Sequence, residues 1–182
     1  LAQNRFTWND EHAMQDPNLV PVGMKHAGTD MFNTVNGDIY GEFAKTGIEV
    51  KAANFDFDAF VDAAAALNLE NIEDVTVFAF ICPKDKAKVR KALKDTLQYV
   101  EAYARSGYIG TVAGINIYAK ADATEGEVIV ATKDAVTIFE KVGVEMEQER
   151  DANTRVNSAY SRKYYVVALT DESKAVKITL NA

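Results

Sequence analysis

Residues 75–82, which Pro83 follows directly, restrict the fold more than any other segment of the sequence. Their Val, Phe and Ile residues predict a strand that is buried on both faces. Pro83 ends this strand, because proline cannot donate a hydrogen bond to a neighbouring strand. A strand of this kind lies inside a sheet whose two faces are both covered.

Helical periodicity occurs on both sides of this run. Apolar residues recur at spacings of three and four, which predicts amphipathic helices. Asp30 is a good N-terminal cap for the first helix, and either Asp56 or Asp58 opens the second. The predicted helices are 30–45, 56–69 and 84–104.

Shorter segments alternate or are continuously apolar, as strands do. We expect strands at 48–51, 115–119, 127–131, 164–169 and 175–180. Residues 164–169 are apolar at both alternating sets of positions, so both of their faces should be covered. Residues 1–27 contain prolines and glycines without a clean period, and we interpret them as an irregular N-terminal arm. Helices and strands mix without a regular βαβ repeat, which places the chain in the α+β class.

Composition excludes several classes of function. The chain has 182 residues, 48% of them hydrophobic, which is enough for one globular domain or two small lobes. Its net charge of −7 argues against a dedicated nucleic-acid binder. No apolar run approaches the roughly 20 residues of a membrane span. The first residue is not Met, and we interpret the chain as a processed product, a truncated form or a proteolytic fragment.

Residues with catalytic or metal-binding potential are not grouped in the sequence. His12 and His26 lack the spacing of a metal site, and Cys82 is the single cysteine. Three glycines at 107, 110 and 114 lack the spacing and the following Lys of a phosphate-binding loop, and they are typical of a tight backbone path. We therefore expect no enzyme activity, no catalytic residues, no metal and no cofactor.

Two charged clusters remain. The basic one lies on the helix predicted at 84–104 and consists of Lys84, Lys86, Lys88, Arg90, Lys91 and Lys94. It is typical of a solvated helix face, the alternative being contact with an acidic neighbour. The acidic one is Glu145, Glu147 and Glu149, whose alternation places them on one face of a strand. With the basic residues nearby, they are typical of a solvated or salt-bridged edge, either within one subunit or across a neighbouring one. The candidate contacts with such a neighbour are Glu145, Glu147, Glu149, Arg150, Arg155 and Arg162.

The order of these segments resembles a known family. Residues 135–178 contain an aliphatic strand, a Glu-rich segment that closes on Glu149-Arg150-Asp151, an apolar strand, a turn and a last strand. This order is similar to the end of tailed-phage major capsid proteins with the Hong Kong 97-type shell fold. Upstream, the strand that ends in Pro83 and the segment Gly110 to Ile115 also match, and the helix 30–45 resembles the family's long spine helix. The resemblance covers about 28–182.

The resemblance implies an α+β fold with two lobes. Residues 28–50 and 144–170 would form the peripheral lobe, and residues 51–143 and 171–182 the axial lobe. The N-terminal arm and the extended hairpin loop that clasp neighbours in this family are not evident, and 1–27 would be their remnant.

The implied function is that of a structural subunit of a phage or prophage capsid. Its partners would be copies of itself in hexamers and pentamers, together with scaffolding and portal proteins. The shell would enclose DNA without sequence-specific binding and without a membrane. The expected location is the virion capsid, with assembly in the host cytoplasm.

Two alternatives stay open from the sequence. The same fold serves encapsulin-like nanocompartments, which enclose enzymes rather than genomes. A stand-alone α+β module that binds a ligand or a partner protein would instead be a stable monomer with a closed pocket.

Overall fold

The structure, a computed structural model, describes residues 1–69, 75–93 and 110–180. The chain divides into two compact units. Unit 1 comprises Leu1–Tyr40 and Ile138–Ala168, and unit 2 comprises Gly41–Thr137 and Leu169–Ala182. The chain therefore starts in unit 1, passes into unit 2, returns to unit 1 and ends in unit 2.

The elements follow one another in the order β1 (Ala2–Asn9), α1 (Asp10–Gln15), α2 (Leu19–Phe43), β2 (Glu49–Ala52), α3 (Phe57–Ala66), β3 (Val77–Ile81), α4 (Pro83–Ala92), β4 (Thr111–Val112), β5 (Ile115–Ala119), β6 (Glu127–Thr132), β7 (Val136–Asp151), β8 (Val156–Leu169) and β9 (Ala175–Leu180). Short 3-10 turns precede β7 and β9. Helices and strands are mixed, which confirms the α+β class.

Unit 2 is built on a six-stranded sheet with the order β2-β9-β6-β3-β5-β4. Strand β3, the predicted buried strand, pairs parallel with β5 and antiparallel with β6. Strand β9 pairs antiparallel with β6 and parallel with β2. The predictions for β2, β3, β5, β6 and β9 are thus confirmed, apart from one or two residues at their ends.

Helix α3 begins as the sequence predicted. The Asp56 carboxylate accepts a hydrogen bond from the Ala59 backbone N–H at 3.0 Å, as an N-terminal cap does. The helix buries Phe60 and Ala63 in a core that β3, β5, β6 and β9 line. Helix α4 starts at Pro83, and the part of the predicted helix 84–104 that follows Leu93 lies outside the described residues.

Unit 1 contains a three-stranded sheet with the order β1-β8-β7 and most of helix α2. Strand β1 pairs antiparallel with β8 along its whole length, from Ala2 opposite Lys163 to Asn9 opposite Val156. A small buried cluster of Ala2, Met31 and Tyr165 joins this sheet to α2.

The prediction of an irregular arm at 1–27 was wrong, because this segment forms β1, α1 and the first part of α2. Pro21 lies in the first turn of α2, where a backbone N–H has no partner within the helix and proline is tolerated. A Cβ at Gly23 would stand 2.1 Å from the Phe6 ring, so glycine there admits the ring against the helix. The predicted helix 30–45 is correspondingly longer, at Leu19–Phe43.

The prediction that residues 164–169 are covered on both faces was also wrong. Tyr165 is buried and Val167 packs against the same cluster, whereas Val166 is 62% exposed and Tyr164 36% exposed. Alternate residues of β8 point to opposite faces of the sheet. Within unit 1, α2 covers the face that carries Tyr165 and leaves Val166 in solvent.

Val167 and Val166 form a matched pair for a stability test. Val167→Asp places a carboxylate beside the Ala2, Met31 and Tyr165 cluster, and we expect it to lower the free energy of unfolding by about 2 kcal/mol or more. Val166→Asp changes a solvent-facing position and should stay within about 0.5 kcal/mol. Urea unfolding measures both values. Equal losses in the two variants would contradict the assignment of the faces of β8.

The raised pKa of Tyr165 leads us to expect that the protein loses stability in strong base. Burial, the hydrogen bond to Asp38 at 2.5 Å and the charge of that carboxylate raise the pKa of Tyr165 to about 12. The unfolded chain titrates this phenol near its usual pKa of about 10. The native state therefore holds the proton of Tyr165 more tightly than the unfolded chain does. The resulting contribution to the free energy of unfolding is complete below about pH 10 and is lost between about pH 10 and 12.

Tyr165→Phe removes this titration and leaves the other basic groups in place. We expect the difference in unfolding free energy between the parent and Tyr165→Phe to fall between about pH 10 and 12. Asp38→Asn should bring the pKa of Tyr165 closer to its usual value, so that the fall occurs over a narrower pH range. A difference that stays constant with pH would show that Tyr165 titrates alike in both states.

Candidate subunit-contact surface

Strand β7 carries most of the predicted contact residues. It is 16 residues long, and among the described residues it pairs with a strand, β8, along one edge only. All its residues except Val136 and Val142 are exposed. Apolar side chains are among them: Ile138, Phe139, Val144 and Met146. A long exposed edge strand of this kind is normally paired or covered in a working protein.

The row of glutamates is partly neutralised by β8. The Arg162 guanidinium lies 3.0 Å from a Glu147 carboxylate oxygen, and the Tyr160 hydroxyl donates to Glu149 at 3.4 Å. Glu145 has no ion-pair partner among the described residues. The structure therefore brings Glu147 and Arg162 together inside one subunit, and leaves Glu145 in solvent.

Arg150 and Arg155 both meet the start of α1. The Arg150 guanidinium lies 2.8 Å from the Asp10 carboxylate, which also accepts from the Asn157 amide at 2.6 Å. The Arg155 carbonyl accepts the Asp10 backbone N–H at 3.2 Å. The hydrogen bonds from Arg150 and Asn157 hold the pKa of Asp10 below its usual value. Asp10 thus fixes the end of the β7–β8 hairpin.

Sequence reasoning missed Asp10, because it treated residues 1–27 as irregular. An acidic residue in the first turn of a helix is a recognisable signal, but the short α1 was not predicted. Pairing of Asp10 with Arg150 spans 140 positions of sequence and has no local signature.

The basic cluster is partly paired within unit 2. Lys84 lies 2.9 Å from Glu125, and Lys88 lies 2.6 Å from Asp85, which is fully buried and accepts the Gly126 N–H at 2.7 Å. These hydrogen bonds raise the pKa of Lys84 and Lys88. The cluster therefore anchors the turn before β6, and its last member, Lys94, lies outside the described residues.

The remaining sequence candidates form no catalytic arrangement in the described part of the chain. His12 and His26 are exposed, and no group of three metal-ligating side chains occurs among residues 1–69, 75–93 and 110–180. Gly110 and Gly114 have positive φ, as a tight backbone path requires, and Gly107 is not described. Over these same residues, no helix is both long and apolar enough to cross a membrane.

Solvent-open grooves line unit 1. One of about 520 Å³ lies between β1 and α2, and another of about 370 Å³ between α2 and β7. Lys163 lines the second groove beside apolar side chains, and its ammonium also lies 3.3 Å from Glu140. These grooves differ from the closed pocket that a ligand-binding module would have.

No protein-family model matches the chain. In sequence it is 30% identical over 161 residues to the major capsid protein of Staphylococcus phage phiMR11. The match covers 86% of this chain and 56% of that protein, so the chain spans a little over half the length of this curated relative.

Solved structures share the fold at much lower identity. The capsid of cyanophage P-SCSP1u has a TM-score of 0.81 at 15% identity, with 99% of this chain and 72% of that chain covered. The holo-SrpI encapsulin complex of Synechococcus elongatus PCC 7942 has a TM-score of 0.74 at 10% identity, with 98% and 72% covered. The chain is therefore similar in sequence to a phage major capsid protein, and it has the Hong Kong 97-type shell fold predicted from its sequence.

Proposed function

We propose that the chain is a structural subunit of a phage or prophage capsid shell, which assembles with copies of itself around the viral genome. The observation that carries this proposal is the sequence identity to a phage major capsid protein over 86% of the chain. The exposed strand β7 supports it, because a subunit buried in an assembly needs such a surface.

The two units correspond, in this proposal, to the two lobes of the shell fold. Unit 1, with the long helix α2 and the strands β7 and β8, is the peripheral lobe, and unit 2 is the axial lobe. Copies of the chain form hexamers and pentamers, and scaffolding and portal proteins are further partners. The protein acts as a building block without enzyme activity, in the virion capsid after assembly in the host cytoplasm.

The six predicted contact residues keep different roles in this proposal. Arg150 and Arg155 shape the hairpin end through Asp10, so they present the surface. Glu147 and Arg162 neutralise each other and set its local charge. Glu145 and Glu149, which have no basic partner among the described residues, are the ones left to meet a neighbour.

A nanocompartment shell is the second candidate, and the likeness to the SrpI encapsulin favours it. The two functions differ in what the shell encloses. Particles formed by the full-length gene product, imaged by negative-stain microscopy and then opened, should release DNA if the protein is a phage capsid subunit. Release of an enzyme without DNA would favour the nanocompartment. A full-length product that stays monomeric would contradict both.

We expect this chain by itself to be a monomer or a weak oligomer in dilute solution. Several of its charges are already paired within the subunit, and exposed ion pairs between subunits contribute only about 0–1 kcal/mol each. Association should weaken as salt is added, since screening shortens the reach of these charges. Light scattering at low and high salt measures this. A tight oligomer that is indifferent to salt would contradict the electrostatic part of the proposal.

A further inference from the structure

The free edge of β7 has the features of a strand that pairs with another strand. Among the described residues β7 pairs with one strand, β8, and no strand pairs with its opposite edge. Exposed Phe139 and Val144 lie along it, more than half of each in solvent. Proline, which protects many edge strands, does not occur between 136 and 151.

Two charges near the middle of this strand have no ion-pair partner among the described residues. Glu140 meets Lys163 and Glu147 meets Arg162, whereas Lys141 and Glu145 have no ion-pair partner among the described residues. Lys141 and Glu145 are opposite in sign and lie two positions on either side of Gly143. Residues at this spacing point to the same face of a strand.

We propose that the β7 strands of two copies of the chain pair antiparallel about a two-fold axis at Gly143. Lys141 of each copy then stands opposite Glu145 of the other, and Val142 opposite Val144. Both pairs occur twice, because a two-fold interface uses the same patch on both subunits. Opposite charges and apolar side chains directly across two strands stabilise the pairing. The inference rests on the proposed function in that the partner is another copy of this chain.

Neighbouring registers are less complementary. An axis at Val144 would place Lys141 opposite Glu147, which Arg162 already neutralises. An axis at Glu145 would place that carboxylate opposite its own copy, and one at Met146 would place Glu145 opposite Glu147. Like charges directly across two strands are destabilising. Of these four centres, Gly143 is the one that pairs Lys141 with Glu145 and avoids repulsion.

Cysteine cross-linking tests the register. In the proposed pairing the two Gly143 Cα atoms are about 5 Å apart, within the range of a disulfide. Gly143→Cys should therefore give a disulfide-linked dimer under mild oxidation. A Cβ there meets only the flexible end of Glu140, at 3.4 Å. The control Gln148→Cys should stay monomeric, since its two copies are about 33 Å apart along the strands. The parent, whose Cys82 is buried, is the background.

The outcomes of this experiment are distinct. Strong cross-linking of Gly143→Cys alone supports the proposal. Stronger cross-linking of Val144→Cys than of Gly143→Cys would overturn the register. Equal cross-linking of Gly143→Cys and Gln148→Cys would overturn strand pairing. Strand pairing would also be overturned if neither variant cross-links at concentrations where the parent associates.

A charge exchange gives an independent test. Lys141→Glu turns both Lys–Glu pairs into Glu–Glu pairs, and we expect it to weaken dimerisation of the chain about ten-fold. Glu145→Lys should do the same. The double variant Lys141→Glu with Glu145→Lys restores opposite charges and should recover the parent's affinity in sedimentation. Failure of the double variant to recover would overturn the proposed pairs.

Parallel imaging of particles from the full-length gene product separates this inference from the proposed function. Particles that form normally from Lys141→Glu, with no change in dimerisation of the chain, would leave the shell function standing and remove the β7 pairing. Cross-linked Gly143→Cys dimers from a gene product that never forms particles would support the β7 pairing and contradict the shell function.

Discussion

The pairing of β9 with both β2 and β6 is the constraint on which unit 2 depends. In the order β2-β9-β6-β3-β5-β4, the last described strand of the chain lies between β2, from the first third of the sequence, and β6, from the last third. Without β9, strand β2 has no neighbour in the sheet and Val176 and Ile178 leave the core. Because residues 138–168 form part of unit 1, the chain passes through β7 and β8 before it reaches the strand that completes the sheet of unit 2.

Unit 1 is organised in a different way, since its sheet is covered by α2 on the face that carries Tyr165. Three strands bury little apolar surface by themselves. Specific polar contacts therefore fix their geometry: Tyr165 with Asp38 beside the helix, and Asp10 with Arg150 at the hairpin end. Among the described residues, the outer edge of β7 has no neighbouring strand, which suits the proposed packing against other subunits.

The sequence predicted most of unit 2, because the signals there are local. The apolar strand before Pro83 and the Asp56 cap are readable within a few residues. Unit 1 was predicted less well, because its structure depends on distant contacts. Gly23 looked like a break, yet Phe6 from a different element explains it. The apolar character of residues 164–169 predicted burial on both faces, but only the face against α2 is covered within the chain.

The contact residues illustrate the same limit. Alternation alone placed three glutamates on one face. The structure shows that two of them accept hydrogen bonds within the subunit, Glu147 from Arg162 and Glu149 from Tyr160. Which charges are left for a neighbour is therefore decided by pairing across β7 and β8, which no single segment reveals. Lys141 was not among the predicted contacts, yet like Glu145 and Glu149 it has no ion-pair partner among the described residues. Charge complementarity between subunits has to be assessed after the charges within each subunit have been paired.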